Sequence, residues 1–530
     1  MRAVPADPAD VVDTTGAGDR FYAGFLAGWL SGLALEESLT LGVICDSRAV
    51  GDYGGDRGLA RHHAPLAGSG SGRRSDMKMT LLGSGVRAPF VLRGLAAGQD
   101  DLGLDEVVLH DTDPERLELM AALGGHMCAE WDARFVVRGE PDPRAAIAGA
   151  RFVFSAIRPG QEGARAVDEE VPLKHGVLGQ ETTGPGGFAM ALRTIPAMLG
   201  YARLIEEAAP DALLVNFTNP VGIVMQALHD HSSVRAVGIC DGPISMQRSV
   251  AEFLGLPREQ VHADYFGLNH CGWIHRVLVD GRDRLPELLD RFEELQAADE
   301  RWRLFDPGLV RAIGMLPMEY LYFYYYRDQA VAHIRGSGSS RGRQLQMLND
   351  ALWPVLRACV DAGDLPGART AWERAMGERD ATYFARERGE TVEGEPVEVG
   401  DVFAGEGYAG VATAVMAAAV QRWKVPLILN VPNRGAIGGL RDDDVVEVTC
   451  LADEHGAHPI AQGAMPEAAL ALVGQVKLYE RLTVTAAVEG SYDAALGALL
   501  AHPLVASYPV AKAILDGYVE DLPGLLPPLA

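Results

Sequence analysis

The segment Met79-Thr80-Leu81-Leu82-Gly83-Ser84-Gly85-Val86-Arg87-Ala88 constrains the fold of this chain more than any other. A short apolar strand runs into a Gly-x-Gly turn, and helical periodicity begins directly behind it. Strand, glycine turn and helix in that order open a β-α-β unit, which commits the chain to a parallel sheet with crossover helices. Glycines let the backbone approach a pyrophosphate, and the N-terminus of the following helix favours the anion. The next apolar run, Val107-Val108-Leu109-His110, ends in Asp111, which lies 26 residues after Gly85. That is close to where an acid accepts from the adenosine ribose hydroxyls of a dinucleotide. Gly83, Ser84, Gly85, Val86 and Asp111 are therefore candidate cofactor-binding residues, with a plain tight turn as the other reading of the glycines.

The alternation continues. Strands are predicted at 79–82, 106–110, 151–156, 212–216 and 235–239, and helices at 89–97, 114–129, 163–170, 188–208 and 220–230. This predicts an α/β chain with a Rossmann-like NAD-binding domain over 77–245. From 246 to 530 the pattern predicts a mixed α+β, mostly helical domain for substrate binding and oligomerisation, with strands at 274–279, 426–430 and 444–449. Small and charged residues over 69–76 read as a linker. Residues 1–68 are too few to form a comfortable domain alone. Gly336-Ser337-Gly338-Ser339-Ser340 reads as a loose loop near a site.

Charge excludes some partners. With 47 Lys+Arg against 72 Asp+Glu the net charge is −25, which disfavours nucleic acid and anionic lipid. The longest uncharged apolar run, residues 21–35, is 15 residues long, below the ~20 that a bilayer span needs. The six cysteines show no C-x-x-C spacing, which predicts a reducing, cytoplasmic setting without a disulfide framework. Apolar C-terminal helices predict a homo-oligomer, a dimer or tetramer.

Four segments carry candidate chemistry. Residues 179–187 place Glu181 in a glycine-rich loop suited to close ligand approach, or to a surface turn. Asn219 follows an apolar strand, where open α/β sheets bind ligands, although Asn before Pro is also an ordinary turn residue. Cys240 and His270 are good donors for a borderline divalent ion that takes its remaining ligands from substrate oxygens. Their spacing alone favours a structural cysteine and a satisfied histidine. Finally, Tyr320 begins a tyrosine-rich run, and Arg341 and Arg343 follow the glycine–serine loop. Such residues serve as packing and a solvated helix start, or as a general base and a phosphate clamp.

Taken in order, these segments resemble the NAD- and divalent-metal-dependent glycosidases of glycoside hydrolase family 4, over about 77–490. The 6-phospho-β-glucosidase branch is the most similar, through Asp264-Tyr265-Phe266-Gly267-Leu268-Asn269-His270-Cys271-Gly272-Trp273 and Asn430-Val431-Pro432-Asn433-Arg434-Gly435-Ala436-Ile437. The resemblance implies a phosphorylated sugar as substrate, NAD as cofactor, and Cys240 and His270 as ligands of manganese or another divalent metal. It implies that Arg165, Glu181 and Asn219 contact the sugar, that Arg341 holds its 6-phosphate, and that Tyr320 is the catalytic base. The implied route is oxidation at C3, loss of the C2 proton, elimination of the aglycone, addition of water and re-reduction. A 6-phospho-α-glucosidase and a plain NAD-dependent sugar-phosphate dehydrogenase are the alternatives.

Two positions depart from the family pattern. Asp241 stands where the β branch usually has Asn; the α branch favours Asp there, as the group that protonates the leaving oxygen. The glycine turn is also one residue shorter than the usual form. Separately, Asp13-Thr14-Thr15-Gly16-Ala17-Gly18-Asp19 resembles the C-terminal signature of ribokinase-type (PfkB) sugar kinases, with residues 16–18 as an anion hole and Asp19 as base. Without the sugar-binding part of such a kinase, this reads as a kinase tail fused ahead of the glycosidase, or as a gene start properly placed at Met77 or Met79.

Overall fold

Short strands of four or five residues, most of them largely apolar and each closed by a turn, build the first half of the sheet. In this computed structural model, which describes residues 77–389, 407–505 and 507–530, they are β1 (Lys78–Leu82), β2 (Glu106–His110), β3 (Val136–Gly139), β4 (Phe152–Ser155), β5 (Leu213–Asn216) and β6 (Arg235–Gly238). They pair in parallel in the order β3-β2-β1-β4-β5-β6. Every residue of β4 and β5 is buried, as helices on both faces of a parallel sheet require. The covering helices include α1 (Ala88–Ala97), α2 (Pro114–Glu130), α3 (Gln161–Lys174), α4 (Pro185–Ala208), α5 (Val221–His231) and α6 (Gly242–Leu254). Asp113 caps α2 by accepting the N–H groups of Glu115 and Arg116. The kinase-like motif and the 69–76 seam lie outside the described residues.

One row of partners levels the carboxyl ends of five strands: His110, Leu82, Ser155, Asn216 and Gly238. Gly83, Asp111, Asn219 and Cys240 all follow within three residues of this row. Strand order reverses between β1 and β4, so the crevice of a doubly wound sheet opens there.

Residues beyond 246 extend the same sheet. Its further strands are β7 (His262–Leu268), β8 (Cys271–Val279), β9 (Arg282–Asp283), β10 (Leu316–Pro317), β11 (Val425–Pro432), β13 (Val445–Asp453) and β14 (Gly456–Pro459); β12 (Ile437–Gly438) pairs separately with Gly463–Ala464. Strand β11 joins β6 antiparallel through Asn430 opposite Gly238, and β13, β7, β8 and β10 follow outward. The second half is otherwise helical, with α7 (Arg341–Asp361), α8 (Leu365–Ala381), α9 (Gly407–Gln421) and α10 (Glu467–Glu489) the longest described. Strand β7 departs from the expectation of three late strands. Its Asp264 and Tyr265 break an apolar pattern, and both are buried because they hydrogen-bond to Arg276 and Glu447. Strand β3 was also not expected: it is a short edge with only two apolar residues, neither fully buried. The loop before α7 is tied down, since Arg386 donates to the carbonyl and hydroxyl of Ser339 at 2.6 and 2.8 Å.

Candidate active site

The glycine turn after β1 forms one wall of a cavity of about 370 Å³. Gly83 has φ +94°, and a Cβ there would sit 2.6 Å from the Ala156 carbonyl oxygen, so only glycine fits. A Cβ on Gly85 would meet nothing within 4 Å; its position faces open cavity, where a pyrophosphate would need the room. Asp111 lines the cavity and accepts the N–H of Ser84 at 2.8 Å and of Asp113 at 3.0 Å, which ties strand β2 to the turn. Val86 lines the cavity as well. Ser84 does not; its side chain is buried and its hydroxyl turns back to the His110 carbonyl.

A second cavity of about 240 Å³ adjoins the first, the two sharing Arg87, Glu181, Phe217, Asn219 and Arg379. All eight residues expected to serve the sugar and the metal line it: Arg165, Glu181, Asn219, Cys240, Asp241, His270, Tyr320 and Arg341. They come from the start of α7, the middle of α3, the loop between α3 and α4, the two loops after β5 and β6, a hairpin turn and a short helical turn. The alternatives do not: Tyr324 and Tyr325 face other cavities, and Arg343 pairs with Glu170 at 2.9 Å on the surface.

His270 occupies the second position of the two-residue β7–β8 hairpin, with φ +63°. Glycine or asparagine suits this conformation best, so a histidine held there points to use of its ring. Burial pushes its pKa down to about 4, with Glu181 only partly offsetting, so the imidazole is neutral at pH 7. Thr182 Oγ1 lies 2.9 Å from His270 Nδ1 and 3.0 Å from Gln180 Oε1, which also accepts from two backbone N–H groups. In the tautomer that suits a metal site, Nδ1–H donates to Thr182 Oγ1 while the Thr182 hydroxyl donates to Gln180. That leaves Nε2 with its lone pair free, as a metal ligand requires. Burial, then Glu447 and Asp241, push the Cys240 thiol well above its usual range. Among the described residues no three His, Cys, Asp or Glu side chains gather as a metal cluster. A thiol and an imidazole with room for substrate oxygens nevertheless fit an open divalent site.

Glu181 is the fixed negative charge of the cavity. Burial alone would raise its carboxyl, but Arg158 at 2.6 Å and Arg165 at 3.0 Å overcome this and hold it down at about 2. Asn219 Oδ1 is buried without a hydrogen-bond partner among the described residues, which a bound hydroxyl would satisfy. The Tyr320 ring stacks on His270 at 3.8 Å. Burial, with Glu181 nearby, pushes its phenol well up, so it gives up a proton only beside an added cation. Arg341 donates to Gln344 at 2.8 Å, to Thr382, and to the Arg379 carbonyl at 2.5 Å. Burial and Arg165 lower its pKa to about 10.

Sequence reading missed Arg87, Arg379 and Tyr383. Arg379 lines both cavities, and burial with Arg87 beside it lowers its pKa to about 9. Arg87 lies 4.6 Å over the Tyr408 ring. Tyr383 donates to Glu319 at 2.9 Å and stands 3.5 Å from the Tyr320 hydroxyl. Arg87 follows the glycine fingerprint directly, which was a usable signal; the other two sit in or just after α8 with no motif around them. A third, wider cavity of about 700 Å³ shares Arg87, Asp241, Arg379 and Asp380 with the second and has Phe90, Tyr408 and Trp423 on its walls.

Comparison with known proteins gives concordant matches. The family described as "Family 4 glycosyl hydrolase" matches residues 78–256, and "Family 4 glycosyl hydrolase C-terminal domain" matches 265–505. The "pfkB family carbohydrate kinase" family matches residues 1–60. A Bacillus subtilis (strain 168) protein named "Probable 6-phospho-beta-glucosidase" is 30% identical, over 85% of this chain and 97% of its own length. A solved 6-phospho-β-glucosidase of Thermotoga maritima with manganese, NAD⁺ and glucose-6-phosphate is 27% identical, with a TM-score of 0.71 over 86% of this chain and all of that one. A solved 6-phospho-α-glucosidase from gut microorganisms with NAD and glucose-6-phosphate is 26% identical, with a TM-score of 0.72 over the same shares.

Proposed function

Because the chain belongs to the family 4 glycosyl hydrolases, we propose that it hydrolyses 6-phospho-β-glucosides to glucose 6-phosphate and the free aglycone. The observation that carries this reading is the convergence of eight side chains, scattered from Arg165 to Arg341, on one cavity beside the dinucleotide crevice. The NAD, manganese and glucose-6-phosphate held by solved relatives support it. Residues 77–245 then hold the dinucleotide and 246–530 complete the sugar site, with 1–68 and the 69–76 linker outside the reaction. The unpaired cysteines among the described residues support a cytoplasmic setting, and no described helix is long and apolar enough to cross a membrane. Exposed Leu478, Val488 and Val519 on C-terminal helices support a homo-oligomer.

When bound, NAD supplies a hydride acceptor for C3 of the sugar, and a divalent ion on Cys240 and His270 supplies a Lewis acid. The chain does the rest. Glu181, kept anionic by its arginines, accepts a sugar hydroxyl, and Asn219 Oδ1 takes another. Tyr320 removes the C2 proton. Asp241 lines both the sugar cavity and the wider third cavity, so it is placed to protonate the leaving oxygen as the aglycone departs into that space. Arg341 binds the 6-phosphate. Arg341→Ala should raise KM for phosphorylated substrate and narrow its preference over the unphosphorylated glucoside by roughly 10–100-fold, the worth of one charge-assisted contact. An unchanged preference in steady-state kinetics would move the clamp to Arg165 or Arg379.

Asp241 favours a second reading, a 6-phospho-α-glucosidase, because the family resemblance ties an acid at this position to the α branch. Chromogenic 6-phospho-α- and β-glucosides, each assayed with and without NAD⁺ and Mn²⁺, separate the two. The β reading expects release from the β substrate only when both additions are present. Release from the α substrate alone would replace it with the α reading, and stoichiometric accumulation of NADH would point to a dehydrogenase instead.

A further inference from the structure

A buried polar link crosses the sheet between the strands that deliver the two metal-facing residues. The row of cross-strand partners runs from Gly238 on β6 through Asn430 on β11 and Glu447 on β13 to Gly267 on β7. Cys240 comes two residues after Gly238, and Asn269 and His270 form the turn just after β7. Glu447 is fully buried between Val446 and Val448, where an unpaired carboxylate would be costly. It is paired on every side: Oε1 accepts from Asn430 Nδ2 at 2.8 Å and Asn269 Nδ2 at 3.1 Å, and Oε2 accepts from the Tyr265 hydroxyl at 3.1 Å. Glycines make the room. A Cβ on Gly238 would lie 2.8 Å from the Asn430 Cβ, and one on Gly272 would lie 2.3 Å from the Tyr265 hydroxyl.

We propose that Glu447 is a positioning residue for the divalent-metal site: by gripping Asn269 and Asn430 it fixes the hairpin turn bearing His270 relative to the strand end bearing Cys240. The inference rests on the reading of Cys240 and His270 as metal ligands. Strand β13 itself does not call for a carboxylate here: its neighbours on both sides are valines, and the three donors to Glu447 all come from other segments. Asparagine at 269 and 430, in two segments far apart in sequence, is explained by the same link.

The test is Mn²⁺ affinity of the cofactor-free protein, measured by the electron paramagnetic resonance signal of unbound Mn²⁺, with NAD⁺ affinity measured in parallel. Glu447→Gln and Asn269→Ala should each weaken Mn²⁺ binding about 10-fold, the low end of the range for residues that support metal ligands because they act through the turn rather than by a bond to a ligand, and leave NAD⁺ affinity unchanged. Asn269 is partly exposed at a turn, so its variant decides the matter if Glu447→Gln does not fold. Cys240→Ser serves as the reference. If it weakens Mn²⁺ binding while Asn269→Ala leaves it intact, the positioning role is overturned. Equal loss of Mn²⁺ and NAD⁺ binding would also overturn it, by showing a general structural role. If Cys240→Ser itself binds Mn²⁺ normally, the metal reading beneath the inference is wrong.

Discussion

Tyr320→Phe should lower kcat for aglycone release by about 10²–10⁴-fold and leave KM nearly unchanged, the range expected when a general base is removed. Phenylalanine keeps the ring that stacks on His270 at 3.8 Å and its edge contacts with Phe323 and Phe384, so binding and fold should survive. Only the hydroxyl is lost, and with it the proposed base. The phenol is pushed up by burial and by Glu181, so it depends on a nearby cation to become a base; loss of Cys240 or of the divalent ion should therefore mimic its removal. Near-normal turnover of Tyr320→Phe would sink the assignment and pass the role to Tyr383, the other tyrosine on this cavity, since neither Tyr324 nor Tyr325 lines it.

Cys240→Ser should abolish metal-dependent turnover and weaken Mn²⁺ binding by more than the ~10–100-fold typical of a supporting residue. A serine hydroxyl almost fits the space of the thiol but ionises far less readily, so it is a poor ligand. The dinucleotide cavity does not include Cys240, and NAD⁺ affinity should hold. Wild-type activity with an unchanged metal requirement would exclude Cys240 from the site.

Much of this was legible from local pattern. Strands β1, β2, β4, β5 and β6 lie within a residue or so of their expected bounds, because a parallel sheet covered on both faces demands short, mostly apolar runs. Gly83, Asp111, Asn219 and Cys240 were findable because each follows such a strand at its carboxyl end. His270 could not be placed in the cavity from spacing, since its position depends on a hairpin conformation and on Thr182, 88 residues away in sequence. Family resemblance supplied it instead. What stayed hidden was set by contacts between distant segments. Arg379 sits on a polar helix like any solvated arginine, yet the fold brings it to the meeting point of three cavities. Glu447 stands in a strand whose pattern argues against a charge, and only Asn269, Asn430 and Tyr265, from three other strands and turns, explain it. Strand β3 was missed for the opposite reason, because an exposed edge has no apolar signature to read.

The account turns on one bond, the C2–H bond that we propose Tyr320 breaks, and isotope exchange reads it directly. Hydrolysis of a 6-phospho-β-glucoside in D₂O with NAD⁺ and Mn²⁺ present, followed by proton NMR of the glucose 6-phosphate formed, should show deuterium at C2. The Tyr320→Phe enzyme should show little product at all. Efficient hydrolysis that leaves the C2 proton in place would mean direct displacement at C1, and would contradict both the role of Tyr320 and the mechanism built on it.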